Sequence, residues 1–208
     1  MNVLIAFLDL VPTITFIWAT IILQRDLYHM MPRLSYTLFS TGNMMIIAAG
    51  VYKCTWKILM YLEICDFVVM NTSFFLMQST GFLLSGIGMI LMFRKQKGTA
   101  LLAAAGVPLY TSSLIFVIFN VVGLICVRIG LACVAKKMGR KAAMAALICS
   151  IPVMMGMGFL SSRDFSQPIY NLYAELVNML GQVLLLVAVY DMHREGLGTF
   201  ELGGDENA

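Results

Sequence analysis

Long stretches without a single charged side chain are the feature that most constrains this chain. No Lys, Arg, Asp or Glu occurs at 67–93, 99–127 or 142–162. Each stretch approaches or exceeds the roughly 20 residues that an α-helix needs to cross a hydrocarbon core of about 30 Å. Only 12% of all residues are charged, whereas a soluble helical bundle carries a charged outer face on its helices. The sequence therefore predicts an all-α, polytopic transmembrane helical bundle.

Apolar segments predict about seven spans, at 3–23, 35–52, 67–93, 99–109, 111–135, 142–162 and 168–191. The first segment has no basic region and no small-residue cleavage site, so we expect a retained span there instead of a signal peptide. The segment 52–67 becomes an outer connector, with Trp56 and Tyr61 near the membrane interface. We expect one transmembrane domain over 1–193 and a disordered, acidic, cytoplasmic tail at 194–208.

The basic residues indicate how the bundle lies in the membrane. If 99–135 crosses twice, the connectors of one face hold ten Lys and Arg and those of the other face hold three. If it crosses once, the totals are seven and six, which favour neither face. Because connectors rich in Lys and Arg stay in the cytoplasm, the double crossing predicts an outer N-terminus and a cytoplasmic C-terminus. Pro108 lacks a helical hydrogen-bond donor and supports a break inside this region.

The span count stays open between six and eight. The segment 99–109 is short for a full crossing, and a re-entrant segment is the alternative. A version that also splits 58–93 gives the same charge totals. Against that version, Asn71, Gln78 and Ser85 are spaced by seven residues and share one face, as in a single continuous helix.

Polar residues on the last predicted span form a narrow stripe. Positions i, i+4, i+7 and i+11 hold Asn171, Glu175, Asn178 and Gln182 among apolar neighbours. At about 100° per residue these side chains cover only about 60° of the helix surface. Because an unpaired carboxylate or amide in hydrocarbon costs several kcal/mol, we expect the stripe to face other helices or water.

Other predicted spans carry matching polar lines. Their members are Asp9, Thr13 and Thr20; Tyr36, Ser40 and Asn43; Asn71, Gln78 and Ser85; and Ser113 with Asn120. Polar lines on five helices predict a bundle with a polar interior and an apolar rim. In the seven-span orientation the carboxylates of Asp9 and Glu175 lie near the outer mouth of a vestibule that narrows toward the middle of the membrane. Hydrogen bonding between helices is the structural alternative for the amides and hydroxyls.

These patterns give a set of candidate residues for binding a small polar or cationic solute. The set comprises Asp9, Asn71, Gln78, Asn120, Glu175, Asn178 and Gln182. The carboxylates would supply negative charge and the amides hydrogen bonds. Arg128 lies inside a predicted span, where it either extends toward the basic connector or pairs with a carboxylate such as Asp191 or Glu175.

Several classes of chemistry are unsupported by the sequence. The two histidines, His29 and His193, are far apart and form no ligand motif, and the five cysteines match no zinc or redox spacing. No hydrolase motif and no glycine-rich phosphate loop occurs. No basic-aromatic patch indicates nucleic acid. We therefore predict no cofactor, no metal and no nucleic-acid partner, and the sequence gives no support for an enzyme.

The leading functional hypothesis is a bacterial multi-pass protein of the plasma membrane, that is, of the inner membrane. It would bind its solute from the outer side and either transport the solute or report its presence. A homo-oligomer or a partner membrane subunit is expected. One alternative is a non-catalytic sensory or accessory subunit that acts through a partner protein. Another is an intramembrane enzyme that modifies lipid, with Asp9 and Glu175 as acid and base.

Overall fold

Six long helices build the part of the chain that the computed structural model describes, namely residues 8–93, 113–161 and 168–201. In chain order they are α1 (Leu10–Leu27), α2 (Arg33–Tyr61), α3 (Val68–Phe93), α4 (Ser113–Lys137), α5 (Lys141–Ser161) and α6 (Pro168–Arg194). A short 3-10 helix, Leu197–Thr199, follows α6. No β-strand occurs among these residues.

The composition of the helices and their outer surface are those of a membrane protein. Five helices, all except α5, are long and apolar enough to cross a membrane, and α5 contains a shorter apolar stretch, Lys141–Gly156. Large apolar side chains such as Trp18, Val69, Leu114 and Val187 are more than half exposed. A soluble protein rarely exposes so much apolar surface, whereas lipid accommodates it. The predicted all-α transmembrane bundle is confirmed.

The six described helices close into a ring. Each helix packs against its neighbours in sequence, and α6 also packs against α1. The connectors 28–32 and 138–140 and the 3-10 helix lie at one end of the ring. We call it the basic end, because Arg25, Arg33, Lys136, Arg140 and Arg194 lie there. The opposite end holds the connector 62–67 and the start of α1.

Glycines allow α2, α3 and α4 to approach one another closely. A methyl group on Gly88 of α3 would lie 2.7 Å from the backbone nitrogen of Phe39 on α2. A methyl group on Gly86 would lie 2.9 Å from the Cα atom of Gly123 on α4. Both distances are shorter than real Cβ contacts, so only glycine fits these crossings without a shift of the backbone. Small residues at helix crossings serve the same purpose in other membrane proteins.

The helices α3 and α4 run in the same direction although they are consecutive in the described structure. Gly123 contacts Phe82, and seven residues further along both helices Gly130 contacts Met89. The end of α3 and the start of α4 are therefore at opposite ends of the ring, and the chain between them returns from one end to the other. The seven-span prediction likewise requires α3 and α4 to run in the same direction. The predicted span 99–109 itself lies outside the described residues.

The helix α2 is longer than predicted. It continues to Tyr61, so the connector to α3 is the short segment 62–67 and not 52–67. The 29 residues of α2 measure about 44 Å along the axis, more than the hydrocarbon core requires. The eight-span version is wrong as well, because 58–93 contains one spanning helix, α3.

The segment that follows α6 folds back onto the basic end. Leu197 is completely buried in the core of the bundle, and the backbone of Gly198 lies next to the Asp26 side chain. The helix α6 itself includes Arg194. At least one side chain beyond residue 194 therefore packs into the bundle. The division into one domain over 1–193 and a disordered tail at 194–208 stays a prediction. Residues 202–208 lie outside the described part.

Candidate functional site

Four ionisable side chains meet inside the bundle at the end opposite the basic end. Asp9 directly precedes α1, Lys53 and Lys57 stand one turn apart on α2, and Glu175 lies in the second turn of α6. The Sγ of Cys54 donates a hydrogen bond to the backbone oxygen of Asp9 at 3.3 Å and fixes the start of α1 against α2. We call Asp9, Lys53, Lys57 and Glu175 the four-charge cluster.

Each lysine of the four-charge cluster contacts both carboxylates. Lys53 Nζ lies 3.0 Å from Glu175 Oε1 and 3.5 Å from Asp9 Oδ1. Lys57 Nζ lies 3.2 Å from Glu175 Oε1 and also forms an ion pair with Asp9 Oδ2. The cluster thus joins three helices, because α1, α2 and α6 each contribute at least one charge.

Burial differs within the four-charge cluster. Asp9, Lys57 and Glu175 are at most 5% exposed, whereas the Lys53 side chain is 26% exposed. With all four groups ionised their charges cancel, which is the condition under which buried charges are tolerated. Lys53 is consequently the member through which the cluster reaches the surface.

Sequence reasoning identified the two carboxylates of this cluster and missed the two lysines. Lys53 and Lys57 were assigned to a connector outside the membrane because charged residues usually end an apolar span. Their spacing of four residues places them on one face of a helix. That spacing, on a segment continuous with an apolar span, was the available signal.

The polar stripe of α6 extends from the four-charge cluster toward the middle of the bundle. Asn178 is partly buried, and Gln182 is buried with 7% exposure. The Gln182 Oε1 atom has no hydrogen-bond partner among the described residues. Glu175 and Gln182 are separated by about 10 Å along the helix axis. A buried amide oxygen without a donor is costly, so this position suits a water molecule or a bound polar group.

The remaining predicted binding residues lie apart from the cluster contacts. Gln78 on α3 and Asn120 on α4 are partly buried, and neither makes a hydrogen bond to a described residue. Asn71 belongs to α3, but its side chain is outside the described part. The structure therefore brings together Asp9 and Glu175, with Asn178 and Gln182 following along α6. Of the other three, the two with described side chains, Gln78 and Asn120, make no hydrogen bond in this site.

Asp191 forms its ion pair with Arg140 and not with Arg128. Arg140 Nε donates to Asp191 Oδ2 at 3.0 Å, its Nη2 bonds the other carboxylate oxygen, and its Nη1 contacts Glu195 at 3.0 Å. Arg128 is buried, with 2% exposure, and its Nη1 has no partner in the described residues. Arg140 belongs to the connector 138–140, which lies at the same end of the bundle as the end of α6. This position explains why Asp191 pairs with Arg140.

Polar side chains between α2 and α3 serve helix packing, among them Ser85 and Asn43 of the predicted polar lines and Ser35, which belongs to none of them. Ser35 donates a hydrogen bond to the Gly88 carbonyl oxygen at 2.6 Å, which ties α2 to α3. The Ser85 hydroxyl, which has one hydrogen to donate, lies 3.3 Å from two acceptors on α2, the Phe39 carbonyl oxygen and Asn43 Oδ1. These are the interhelical hydrogen bonds that the sequence left open as an alternative to ligand binding.

No metal centre is formed within the described ranges, since no three His, Cys, Asp or Glu side chains converge there. Comparison with known proteins adds no functional assignment. The chain matches no protein-family model, no curated protein and no solved structure.

Proposed function

We propose that this membrane protein binds a small polar solute carrying an amine at the four-charge cluster, as a transporter or as a solute-binding membrane component. The observation that carries the proposal is a pair of buried carboxylates whose lysine partners differ in exposure. Lys57 is sealed inside, whereas Lys53 is a quarter exposed. Ionisable groups within a membrane-spanning bundle commonly mark solute or ion pathways.

Displacement of Lys53 is the step by which the solute enters. The Lys53 ammonium group occupies a position 3.0 Å from Glu175 Oε1 and 3.5 Å from Asp9 Oδ1. A solute amine that takes this position keeps both carboxylates paired. Lys53 then turns toward the surface, where its charge is solvated. The charge balance of the buried groups is preserved, so the exchange avoids leaving an unpaired charge inside.

The stripe of α6 supplies the second half of the proposed site. A polar group of the solute that extends past Glu175 reaches Asn178 and then Gln182, whose Oε1 atom lacks a described donor. Entry is from the end opposite the basic end, which we assign to the outer side because Lys and Arg accumulate on the cytoplasmic side of membrane proteins. We also propose the plasma membrane as the location, since the proposed solute enters from the outer side.

Solute-dependent thermal stability tests the proposal. The purified full chain is heated in a neutral detergent with and without single solutes: amino acids, putrescine, and a sugar as the solute without an amine. We expect an amine-bearing solute to raise the unfolding temperature of the wild type and not of Glu175→Gln. Asp191→Asn is the matched control, because it makes a similar carboxylate-to-amide change at the basic end.

The variant Lys53→Gln separates solute binding from a purely structural cluster. If the solute competes with Lys53, removing this lysine lowers the solute concentration needed for half-maximal stabilisation. If the cluster only holds the helices together, the variant loses stability and gains no affinity. A solute effect of equal size in the wild type, Glu175→Gln and Asp191→Asn refutes the site, as does the absence of any effect of the amine-bearing solutes on the wild type.

A further inference from the structure

A second candidate site lies at the basic end, where α1, α6 and the 3-10 helix meet. A cavity of about 340 Å³ is lined by Arg25, Asp26, His29, His193 and Thr199, together with two glycines. This volume is within the range of small-ligand sites, which is about 300–1,000 Å³. The cavity is at the other end of the bundle from the four-charge cluster, so it is independent of the proposed function.

The carboxylate in this cavity is already occupied by two neighbours. Asp26 has a side-chain exposure of only 4%. Its Oδ1 atom accepts a hydrogen bond from Arg25 Nε at 3.2 Å, and its Oδ2 atom lies 2.6 Å from His193 Nδ1. Asp26 therefore holds the two side chains in place and presents little negative charge to the cavity.

The imidazole of His193 contacts both Arg25 and Asp26. Arg25 Nη2 lies 3.1 Å from His193 Nε2 and 3.4 Å from Nδ1. His193 Nδ1 lies 2.6 Å from Asp26 Oδ2. Arg25, Asp26 and His193 thus form a closed triangle of contacts that fixes the direction of the guanidinium.

The accessible groups of the cavity are hydrogen-bond donors. The Arg25 side chain is 68% exposed, and a guanidinium has five N–H donors, of which Asp26 and His193 occupy only part. His29 is exposed and makes no hydrogen bond to a described residue. A planar, fixed guanidinium is the side chain best suited to binding two oxygens of a phosphate.

We propose that this cavity binds a phosphate-bearing anion through the Arg25 guanidinium and the His29 imidazole. Two sources supply such a group: the headgroup of an acidic phospholipid and a soluble phosphate. Basic pockets between transmembrane helices at the cytoplasmic side bind anionic lipid headgroups. The location of the cavity at the membrane end that carries most Lys and Arg fits either source.

The test uses the purified full chain in a neutral detergent and two probes. The first probe is phosphatidic acid in mixed micelles, with phosphatidylcholine as its zwitterionic control. The second is inorganic phosphate, with chloride at equal ionic strength as its control. We expect phosphatidic acid, inorganic phosphate or both to raise the unfolding temperature. Stabilisation by phosphatidic acid alone identifies a lipid site, and stabilisation by inorganic phosphate identifies a site open to soluble ligands.

Three variants locate the effect. We expect Arg25→Gln to raise the half-maximal probe concentration at least about tenfold, the change expected from the loss of one charge-assisted hydrogen bond. Arg33→Gln is the matched control, because Arg33 is an exposed arginine at the same end and outside the cavity. If Arg25→Gln does not fold, His29→Gln tests the proposal instead. Weaker binding of the probe by His29→Gln supports the proposal, and unchanged binding overturns it. The absence of stabilisation by both probes, or an equal loss in Arg33→Gln and Arg25→Gln, also overturns it.

Discussion

Replacing Glu175 with glutamine keeps the shape of the side chain and removes one of the four charges of the cluster. Glu175 Oε1 lies 3.0 Å from Lys53 Nζ and 3.2 Å from Lys57 Nζ. After the change the two ammonium groups share a single carboxylate, that of Asp9. Lys57 cannot escape to water, since its side chain is only 6% exposed. We therefore expect a large loss of stability from this isosteric substitution.

The upper bound of the loss is the cost of leaving a buried charge without its partner, about 3–5 kcal/mol, because Lys57 keeps its ion pair with Asp9 after the change. Lys53→Gln leaves the buried carboxylates of Asp9 and Glu175 with Lys57 as their shared partner, so we expect a loss within the same upper bound. The double variant Glu175→Gln, Lys57→Met removes one charge of each sign and leaves the contact between Lys53 and Asp9. We expect the double variant to lose less stability than the sum of the losses of Glu175→Gln and Lys57→Met measured separately. The expected difference is about 1–3 kcal/mol.

Equilibrium unfolding of the purified chain in mixed micelles, with rising amounts of a denaturing detergent, measures these free energies. The matched control is again Asp191→Asn, whose ion pair with Arg140 is partly exposed, and it should lose no more than about 1 kcal/mol. The reasoning is refuted if Glu175→Gln loses no more stability than the control. It is also refuted if the double variant loses the full sum of the single changes, because the charges would then act independently.

Three further predictions concern the fold. Gly88→Ala should lower the free energy of unfolding by about 1–3 kcal/mol through overpacking. Gly156→Ala is the control and should not lower it, because nothing lies within 4 Å of the added methyl group. Unfolding curves of the two variants measure the difference. Leu197→Ala should cost about 2–5 kcal/mol, since Leu197 is completely buried; a change below about 0.5 kcal/mol, typical of surface sites, would contradict its role as an anchor. Two variants with a single cysteine each test the order of the helices: one keeps native Cys65, and the other carries Lys136→Cys, with all other cysteines replaced by alanine. The two thiols should react with a membrane-impermeant maleimide from opposite sides of the membrane. Labelling from the same side would contradict the order of the helices.

Helix positions were predictable where an apolar run ends at a charge that faces solvent. The predicted span 67–93 agrees with α3 to within one residue at its start, and 142–162 agrees with α5 to within one residue at each end. The end of α2 was missed by nine residues, because Lys53 and Lys57 interrupt the apolar pattern. Whether a lysine ends a span depends on a partner on another helix, and local composition does not contain that information.

The same limit applies to the candidate site. The stripe on α6 correctly marked Glu175 as a side chain directed into the bundle, because helical periodicity shows which residues share a face. It did not show which helices lie opposite, so the partners of Glu175 were not identified. A related limit applies to the segment after α6: a Gly-rich, acidic composition predicts disorder on average, but composition does not show that one side chain, Leu197, packs into the core.

The helix α6 is fastened by charged contacts near both of its ends. At one end Glu175 bonds Lys53 and Lys57 of α2, and at the other His193 bonds Asp26 of α1 and Asp191 bonds Arg140. Because α6 is held near both ends, it cannot slide along its axis without breaking both sets of charged contacts at once. Release of one attachment alone lets it pivot about the other. Any rearrangement that starts with the loss of the Glu175 contacts is therefore a tilt of α6 about the basic end, widest where the contacts were lost.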